Sequence, residues 1–455
     1  MKIDSFTGKN VLVMGLGRFG GGVDVAKFAA NAGAKVVITD LAQRQQLSDS
    51  IKQLEEFGDI EYHLGSHDVA DFAWADIIVV NPAVPPDNEF LQIAKQHNKF
   101  ITSQISIFFE LSPATIIGIT GAAGKSTTAA LTAHLLKNSG YKNVWLSGNI
   151  GNEPLLTIIE QIGADDLVVL ELSSFQIEQL PQIRKAPKVA LMTNLTPNHL
   201  DRYGTFAAYC SAKENIFKFQ KLNTNSPVVS IFNTEDQISA EWFEKYKKDT
   251  GRTCIKFSAD DISEKIQEKF GLPGRANLSN LAAAIAIAKH FGVDDEQIRN
   301  CLPEFKPLPH RLELVAQING IRWYNDSKAT TPQSAIASLE AFEQPVIIIA
   351  GGSDKNLPFD ELGEKIAQRA KAAVLLGQTA KKIKNAIEKS AAENTEKRIK
   401  VEIVDSLTEA VESAHKLAMA GDVVLLSPAC ASYDMFDNFQ QRGREFCRLV
   451  REISR

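Results

Sequence analysis

The chain has 455 residues, 44% hydrophobic and 23% charged, an ordinary globular composition that excludes a disordered, collagen-like or disulfide-scaffold protein. Lys and Arg number 50 against 55 Asp and Glu, a net charge of −5, so no global basic field attracts nucleic acid or acidic lipid. At roughly 150 residues per domain, the length predicts about three domains.

No apolar run reaches the roughly 18–20 residues that cross a bilayer. The opening MKIDSFTGKNVLVMGLG reads as a first β-strand rather than a signal peptide, because its apolar stretch is short and broken by glycine. Strands are predicted at Asn10–Met14, within that opening, and at Lys35–Thr39, Asp76–Val80, Thr115–Thr120, Leu167–Leu170, Val189–Asn194, Val228–Phe232, Val346–Ala350, Ala373–Leu376 and Val423–Leu426. Most are continuous apolar runs, as expected of strands buried on both faces of a parallel sheet. Their alternation with amphipathic stretches predicts an α/β fold with ligands at the carboxyl ends of the strands.

Breaks near Leu111–Pro113 and at Lys306–His310, where KPLPH carries two prolines, divide the chain into 1–111, 112–308 and 309–455. Gly271–Gly274 is read as a turn that opens an alanine-rich helix over Asn277–Phe291, and Lys384–Lys400 as a solvated surface helix and loop. The five cysteines, Cys210, Cys254, Cys301, Cys430 and Cys447, are odd in number and show no CxxC spacing. They predict reduced thiols in a cytosolic protein, with Cys430 a small buried apolar residue rather than a nucleophile.

Gly15-x-Gly17-x-x-Gly20 follows the first strand, and Asp40 ends the second. The glycines allow close backbone approach and the helix start faces a diphosphate, so a nicotinamide or flavin, a UDP-sugar, or simply a tight strand–helix turn all fit. Gly121-Ala-Ala-Gly124-Lys125-Ser126-Thr127 is a shortened GxxGK[ST] loop, with Ile119 where the full phosphate-loop pattern begins with glycine. Backbone N–H groups would wrap phosphates, Lys125 would neutralise a transferring phosphoryl group, and Ser126 or Thr127 would hold Mg²⁺. Glu171 closes an apolar strand, where a phosphate-loop protein places a metal ligand, and His199 follows another strand end in Thr193–Arg202, read as functional for that reason.

The motifs GLGRFG, GKSTT, GNIG, ELSSFQIE, NLTPNHLDRYGT, SAKENIF, PLPHRLELV, WYNDSKAT, IAGGSDK and LLSPACASYDMFDNFQQRG run in one order over essentially the whole chain. Together they resemble the Mur ligases, ATP-dependent amide ligases of peptidoglycan precursor synthesis, and most closely the branch that adds D-glutamate. The resemblance implies a Rossmann-like N-terminal UDP-substrate domain, a central P-loop ATPase domain and a Rossmann-like C-terminal domain that closes over the site. It implies UDP-N-acetylmuramoyl-L-alanine, D-glutamate and ATP as substrates, with Mg²⁺, in a cytoplasmic monomer without nucleic-acid or membrane partners. ATP would phosphorylate the alanine carboxylate, and the glutamate amine would attack the acyl phosphate through a tetrahedral intermediate.

Carried over residue by residue, the resemblance gives Gly121, Ala122, Ala123, Gly124, Lys125, Ser126 and Thr127 to the ATP phosphates. Ser126, Glu171, His199 and Lys213 go to metal, with Lys213 a carbamate, and Lys125, His199 and Lys213 are the expected catalytic groups. Gly17, Arg18, Phe19 and Asp40 would hold the uridine diphosphate, Asn149 would face the UDP-substrate and ATP phosphate, and Ser173 and Gln176 would touch the muramoyl part. Asn277 and Asn280 match the adenine side; Arg311, Asp326 and Lys328 match groups that the closing domain brings to ATP. Thr330, Lys355, Ser432, Tyr433 and Phe439 match the D-glutamate pocket, where Lys355 supplies a cation for the carboxylates.

Three departures stand out: Ala122-Ala123 where Thr-Asn is usual, Ala276 where His is frequent, and Thr331 where Asn is common. They leave room for a Mur-type ligase using another amino acid such as L-glutamate. A nicotinamide dehydrogenase would explain GLGRFG but leave GKSTT and the later motifs idle. A nucleotide-gated binding protein would leave DSKAT and SPACAS unexplained.

Overall fold

Three sheets order the chain in a computed structural model, which describes residues 2–18, 20–150, 154–393 and 399–453. The first contains β1 (Asn10–Met14), β2 (Lys35–Asp40), β3 (Glu61–Leu64), β4 (Ile77–Val80) and β5 (Phe100–Thr102). Its order is β3-β2-β1-β4-β5, all parallel. The second contains β6 (Thr115–Thr120), β7 (Val144–Gly148), β8 (Leu167–Glu171), β9 (Val189–Met192), β10 (Val228–Asn233) and β11 (Arg252–Phe257). It runs β11-β10-β9-β6-β8-β7, again all parallel. The third contains β12 (Glu313–Ile318), β13 (Ile321–Asn325), β14 (Val346–Gly351), β15 (Ala370–Leu376), β16 (Lys400–Ile403) and β17 (Val423–Leu426), in the order β12-β13-β17-β14-β15-β16. Only the β12–β13 pair is antiparallel there.

The central strands are the apolar runs of the sequence. Val11–Met14, Ile117, Leu167–Leu170, Ile347–Ala350 and Val423–Leu426 are buried on both faces under helices, which is why they show no alternation. Strand order reverses at β1/β4 in the first sheet and at β6/β8 in the second. Such reversals open a crevice at the carboxyl ends of the strands.

By compactness the chain forms two units, Met1–Asp261 with Asn280–Cys301, and Ile262–Ser279 with Leu302–Arg455. The first unit holds the first two sheets and the second unit the third. The alanine-rich helix runs Arg275–His290, two residues earlier than its predicted start. The predicted surface helix is found in Ala380–Glu393, and the rest of that stretch lies partly outside the described residues. All five cysteines are free thiols; Cys430 is buried, and burial pushes its thiol up to about 11, as its reading as an inert core residue requires. No helix among the described residues is long and apolar enough to cross a membrane.

Candidate active site

The glycine turn is shaped from two sides. Gly15 and Gly17 have φ of +91° and +64°, in the left-handed region that favours glycine. A Cβ on Gly15 would stand 2.8 Å from Asn81 Cβ, and Asn81, just beyond β4, donates Nδ2–H to the Gly15 carbonyl at 3.2 Å. From the end of β2, Asp40 accepts the Gly17 N–H at 3.1 Å and the Ala42 N–H at 2.8 Å. Gly20 then precedes the helix Gly21–Asn31. Arg18 is exposed beside the turn; Phe19 lies outside the described residues.

The phosphate loop joins β6 to the helix Lys125–Leu136. It is held from the end of β9: Ala122 N–H donates to the Asn194 carbonyl (2.8 Å), Ala123 N–H to Asn194 Oδ1 (2.9 Å), and Thr193 Oγ1 to the Ala123 carbonyl (2.6 Å). These bonds use only backbone atoms of Ala122 and Ala123, so the loop's path does not depend on their side chains. Lys125 Nζ donates to the Gly121 and Ala122 carbonyls at 3.0 and 2.9 Å. Thr127 is half-buried in the first turn of the helix.

At the β6/β8 reversal, Ser126 Oγ donates to Glu171 Oε2 at 2.5 Å and Asn149 Nδ2 to Glu171 Oε1 at 3.1 Å. Glu171 is 2% exposed. The Asn149 N–H also donates to the Glu171 carbonyl, at 2.9 Å. A Cβ on Gly148 would meet that carbonyl oxygen at 2.3 Å, so glycine there lets the chain carry Asn149 across Glu171. Asn280 lies beneath the loop, its Oδ1 accepting from Thr128 Oγ1 at 3.2 Å. Asn277, one helical turn earlier, donates to the Pro273 carbonyl at 2.7 Å. Ser173 and Gln176 form a capping box: Gln176 Oε1 accepts the Ser173 N–H (3.0 Å) and Ser173 Oγ accepts the Gln176 N–H (3.3 Å).

Lys213 is 1% exposed on the helix Phe206–Lys218. Its Nζ donates to Thr120 Oγ1 at 3.0 Å and lies 5.1 Å from the Tyr209 ring centroid. Burial drives its pKa well below the ordinary lysine value, the Lys125 charge adds to this, and Glu171 opposes it, so the amine is biased towards its neutral form. His199 is exposed, in a left-handed backbone conformation at φ +51°, with its ring 4.9 Å from that of Phe175. Desolvation lowers its pKa, against the pull of Asp201 and with the push of Lys213, Lys125 and Arg202.

In the second unit, the loops after β13, β17 and β14 leave neighbouring strands. Asp326 is 6% exposed and accepts from Ser338 Oγ (2.5 Å), Ser427 Oγ (3.0 Å) and Leu312 N–H (3.3 Å). Its carboxylate therefore pins the loop that carries Lys328 and Thr330, and burial pushes its pKa up to about 6. Arg311 lies close enough for its charge to oppose that rise. Lys328 is exposed, with Nζ 4.0 Å from the Phe439 ring centroid. Ser432 is buried, Tyr433 is 70% exposed, Lys355 is exposed and Thr330 is partly buried. Arg442 ties two of these loops: it donates to Ser327 Oγ and its carbonyl (3.0 and 2.9 Å) and to the Cys430 and Ala431 carbonyls (3.1 and 3.3 Å).

Three family models match the chain: the Mur ligase MurD-like N-terminal domain over residues 9–103, the Mur ligase middle domain over 119–288, and the Mur ligase glutamate ligase domain over 310–430. The UDP-N-acetylmuramoylalanine–D-glutamate ligase of Roseiflexus sp. is 39% identical, covering 98% of this chain and 99% of the relative. The enzyme of that name from Clostridium botulinum is 36% identical over 98% of this chain and 97% of its own. The chain belongs to the Mur ligase family. A pseudomurein peptide ligase type C from Methanothermus fervidus has the same fold, with TM-score 0.54 at 16% identity over 98% of this chain and 100% of its own.

Mur ligases depend on ATP and, in general, Mg²⁺, and the donor set fits that ion. Among the described residues no group of three or more His, Cys, Asp or Glu side chains could cage a metal. Mg²⁺ does not need such a cage, since it takes one or two carboxylates and completes its shell with water and phosphate oxygens. Glu171 and the Ser126 hydroxyl supply hard oxygen donors at the phosphate loop.

Several residues that build this Mur ligase site escaped the sequence reading. Asn81, Thr193 and Asn194 shape the two loops, Thr120 holds Lys213, and Arg442 and Asp24 tie segments together. The Ser-x-x-Gln spacing of Ser173 and Gln176 is a capping-box signature and was legible. Asp24 bonds residues 155–157 and Arg442 bonds Ser327, both more than 100 residues away in the chain, and such contacts leave no local signal.

Proposed function

We propose that this Mur ligase joins D-glutamate to UDP-N-acetylmuramoyl-L-alanine at the expense of ATP, in the cytoplasmic synthesis of peptidoglycan precursors, and that it acts as a monomer. The observation that carries the reading is the Ser126–Glu171–Asn149 set at the β6/β8 reversal, beside a buried Lys213. Full-length similarity to enzymes named for this reaction supports it. The domain borders consistent with it are 1–111, 112–308 and 309–455, the first for the UDP-substrate, the second for ATP and the third for D-glutamate.

A carboxylate is a poor electrophile, because its leaving group would be oxide. An alanine carboxylate oxygen attacks the γ-phosphorus, ADP leaves, and the acyl phosphate now carries phosphate as its leaving group. The glutamate amine attacks the acyl carbon, and collapse of the tetrahedral intermediate expels phosphate. Two anions must approach in the first step, so cationic and N–H groups crowd the site. Lys125 supplies the cation, and the backbone N–H groups of residues 121–127 supply the cradle. Ser126 and Glu171, with His199, would hold Mg²⁺, whose charge offsets that of the phosphates when it is bound.

Lys213 is the carbamate candidate. Its neutral amine can add to CO₂, forming an N–C bond and releasing one proton to solvent, which turns a buried amine into an oxygen donor. Asp40 and the Gly17 backbone would take the uridine diphosphate, with Arg18 and Phe19 beside it, and Asn149, Ser173 and Gln176 would meet the muramoyl portion. Asn277, Asn280, Arg311, Asp326 and Lys328 would serve the nucleotide, and Thr330, Lys355, Ser432, Tyr433 and Phe439 the amino acid. The test is product mass after incubation with ATP, Mg²⁺ and the UDP-substrate, with D- and L-glutamate compared. The reading expects product with D-glutamate; product with L-glutamate alone would replace it with a Mur-type ligase of the other stereochemistry.

A further inference from the structure

Asp24 sits in the first turn of the helix Gly21–Asn31, the helix that opens the glycine turn, and is 5% exposed. Its backbone N–H donates to the Gly20 carbonyl at 2.9 Å and so closes that turn into the helix. Its carboxylate points elsewhere. Oδ2 accepts the N–H groups of Leu155 (3.0 Å) and Leu156 (2.8 Å) and Gln104 Nε2–H (2.6 Å). Oδ1 accepts both the N–H and the Oγ1–H of Thr157, at 3.0 and 2.9 Å.

Five neutral donors thus converge on one buried carboxylate. Three of them are consecutive backbone amides more than 130 residues away, aimed at a single point in the manner of an anion-binding nest. Such an arrangement fixes position closely, because moving either partner leaves an ionised group buried and under-bonded. Both ends of this contact lead to the reacting groups. On one side is the glycine turn. On the other, Pro154 precedes the nest, and its carbonyl accepts Ser147 Oγ–H at 3.0 Å. Ser147 is the next-to-last residue of β7, which ends at Gly148 and leads to Asn149; the Asn149 Nδ2–H meets Glu171, and Glu171 meets Ser126 of the phosphate loop.

We propose that Asp24 is a positioning residue for the ligation. It sets the register between the glycine turn that takes the UDP-substrate and the Asn149–Glu171–Ser126 set that takes the phosphates and metal. This rests on the ligase reading above. Asp24 touches no reacting atom in this account; it acts by fixing the distance over which the alanine carboxylate must meet the γ-phosphate. A misplacement of about 1 Å at such a junction costs on the order of a hundredfold in rate.

The experiment uses the full chain, wild type and the variants Asp24→Asn and Thr157→Val. Asp24→Asn sets an NH₂ against N–H donors. Thr157→Val removes one of the five donors and leaves the backbone nest, so it stays folded if the harsher variant does not. Three quantities are read: affinity for UDP alone, affinity for a non-hydrolysable Mg·ATP analogue alone, and the factor by which UDP-N-acetylmuramoyl-L-alanine tightens the analogue. Rates of ligation and melting temperatures accompany them. The proposal expects each single-ligand affinity to stay unchanged while the tightening factor falls towards one and kcat drops, by about ten- to a hundredfold for Asp24→Asn and by less for Thr157→Val. An unchanged tightening factor and kcat in a folded variant overturns it. So does a loss of both single-ligand affinities in step with melting temperature, which would mark Asp24 as a purely structural residue. If the wild type makes no product, the ligase reading fails on its own, and the binding factor still decides the role of Asp24.

Discussion

Replacing Asp326 with asparagine isolates a cost that the wild type carries at neutral pH. The carboxyl is buried among Ser338, Ser427 and the Leu312 N–H, and its pKa rises from 3.8 to about 6. The folded state therefore holds a proton that the unfolded chain has already released over this window. The contribution to stability is fully present below the unfolded value of 3.8 and is lost as pH rises through about 6. A shift of about 2 units at 1.36 kcal/mol each is about 3 kcal/mol. Asparagine keeps the shape and one acceptor, and the two serine hydroxyls can turn to accept from its NH₂, but it cannot ionise. The difference in stability between Asp326→Asn and wild type should thus swing by about 3 kcal/mol in favour of the variant between pH 4 and pH 7. Melting curves of both proteins across that range, in buffers of equal ionic strength, read it directly. Parallel pH profiles would refute the reasoning, because they would mean that the carboxylate is as well solvated when folded as when unfolded.

The phosphate loop makes sharper demands on backbone. Gly124 has φ +81°, and a Cβ there would lie 2.2 Å from Asn280 Oδ1; Gly124→Ala should weaken binding of a Mg·ATP analogue by about tenfold or more, since the left-handed conformation alone costs about 1–2 kcal/mol, and calorimetry showing unchanged affinity would count against the loop geometry. Lys125→Ala should abolish ligation, measured as phosphate release that requires both the UDP-substrate and D-glutamate; near-normal turnover would remove Lys125 from the phosphate site. Lys213→Ala should lose activity that short-chain carboxylic acids partly restore, because an added carboxylate can stand where the carbamate oxygens would be; full activity without rescue would dismiss the carbamate.

The parts of the fold that the sequence made legible follow a physical division. The ten predicted strands are all present, and all ten, most with continuous apolar character, lie inside the sheets rather than at their edges. Among the described residues the missed strands are β3, β5, β7, β11, β12, β16 and β13, and the first six are the two edges of each sheet. An edge strand is solvated along one side, so EYHL, FIT, KVEI and RTCIKF carry charge or stay short. The seventh, β13, did have a signal: Asn319 and Gly320 between β12 and β13 both have positive φ, +51° and +78°, the conformation of an Asn-Gly hairpin turn.

At the site, the glycine turn, the phosphate loop and Glu171 announce themselves because their chemistry depends on local spacing. Ser126, Asn149 and Glu171 do come together. Ser173 and Gln176, expected to touch the muramoyl part, bond each other as a cap, and Asp326, expected among the groups brought to ATP, accepts from two serine hydroxyls. The supports are the least legible layer. Asp24 reads as an acid in a first helical turn, which the helix dipole alone would explain; only the folded chain brings residues 155–157 to it.

The measurement that tests the central claim most directly follows oxygen. With UDP-N-acetylmuramoyl-L-alanine labelled with ¹⁸O in both alanine carboxylate oxygens, ligation through an acyl phosphate must transfer one labelled oxygen to the released phosphate. The account predicts one ¹⁸O in phosphate for each amide bond formed with D-glutamate. Amide product accompanied by unlabelled phosphate would contradict it.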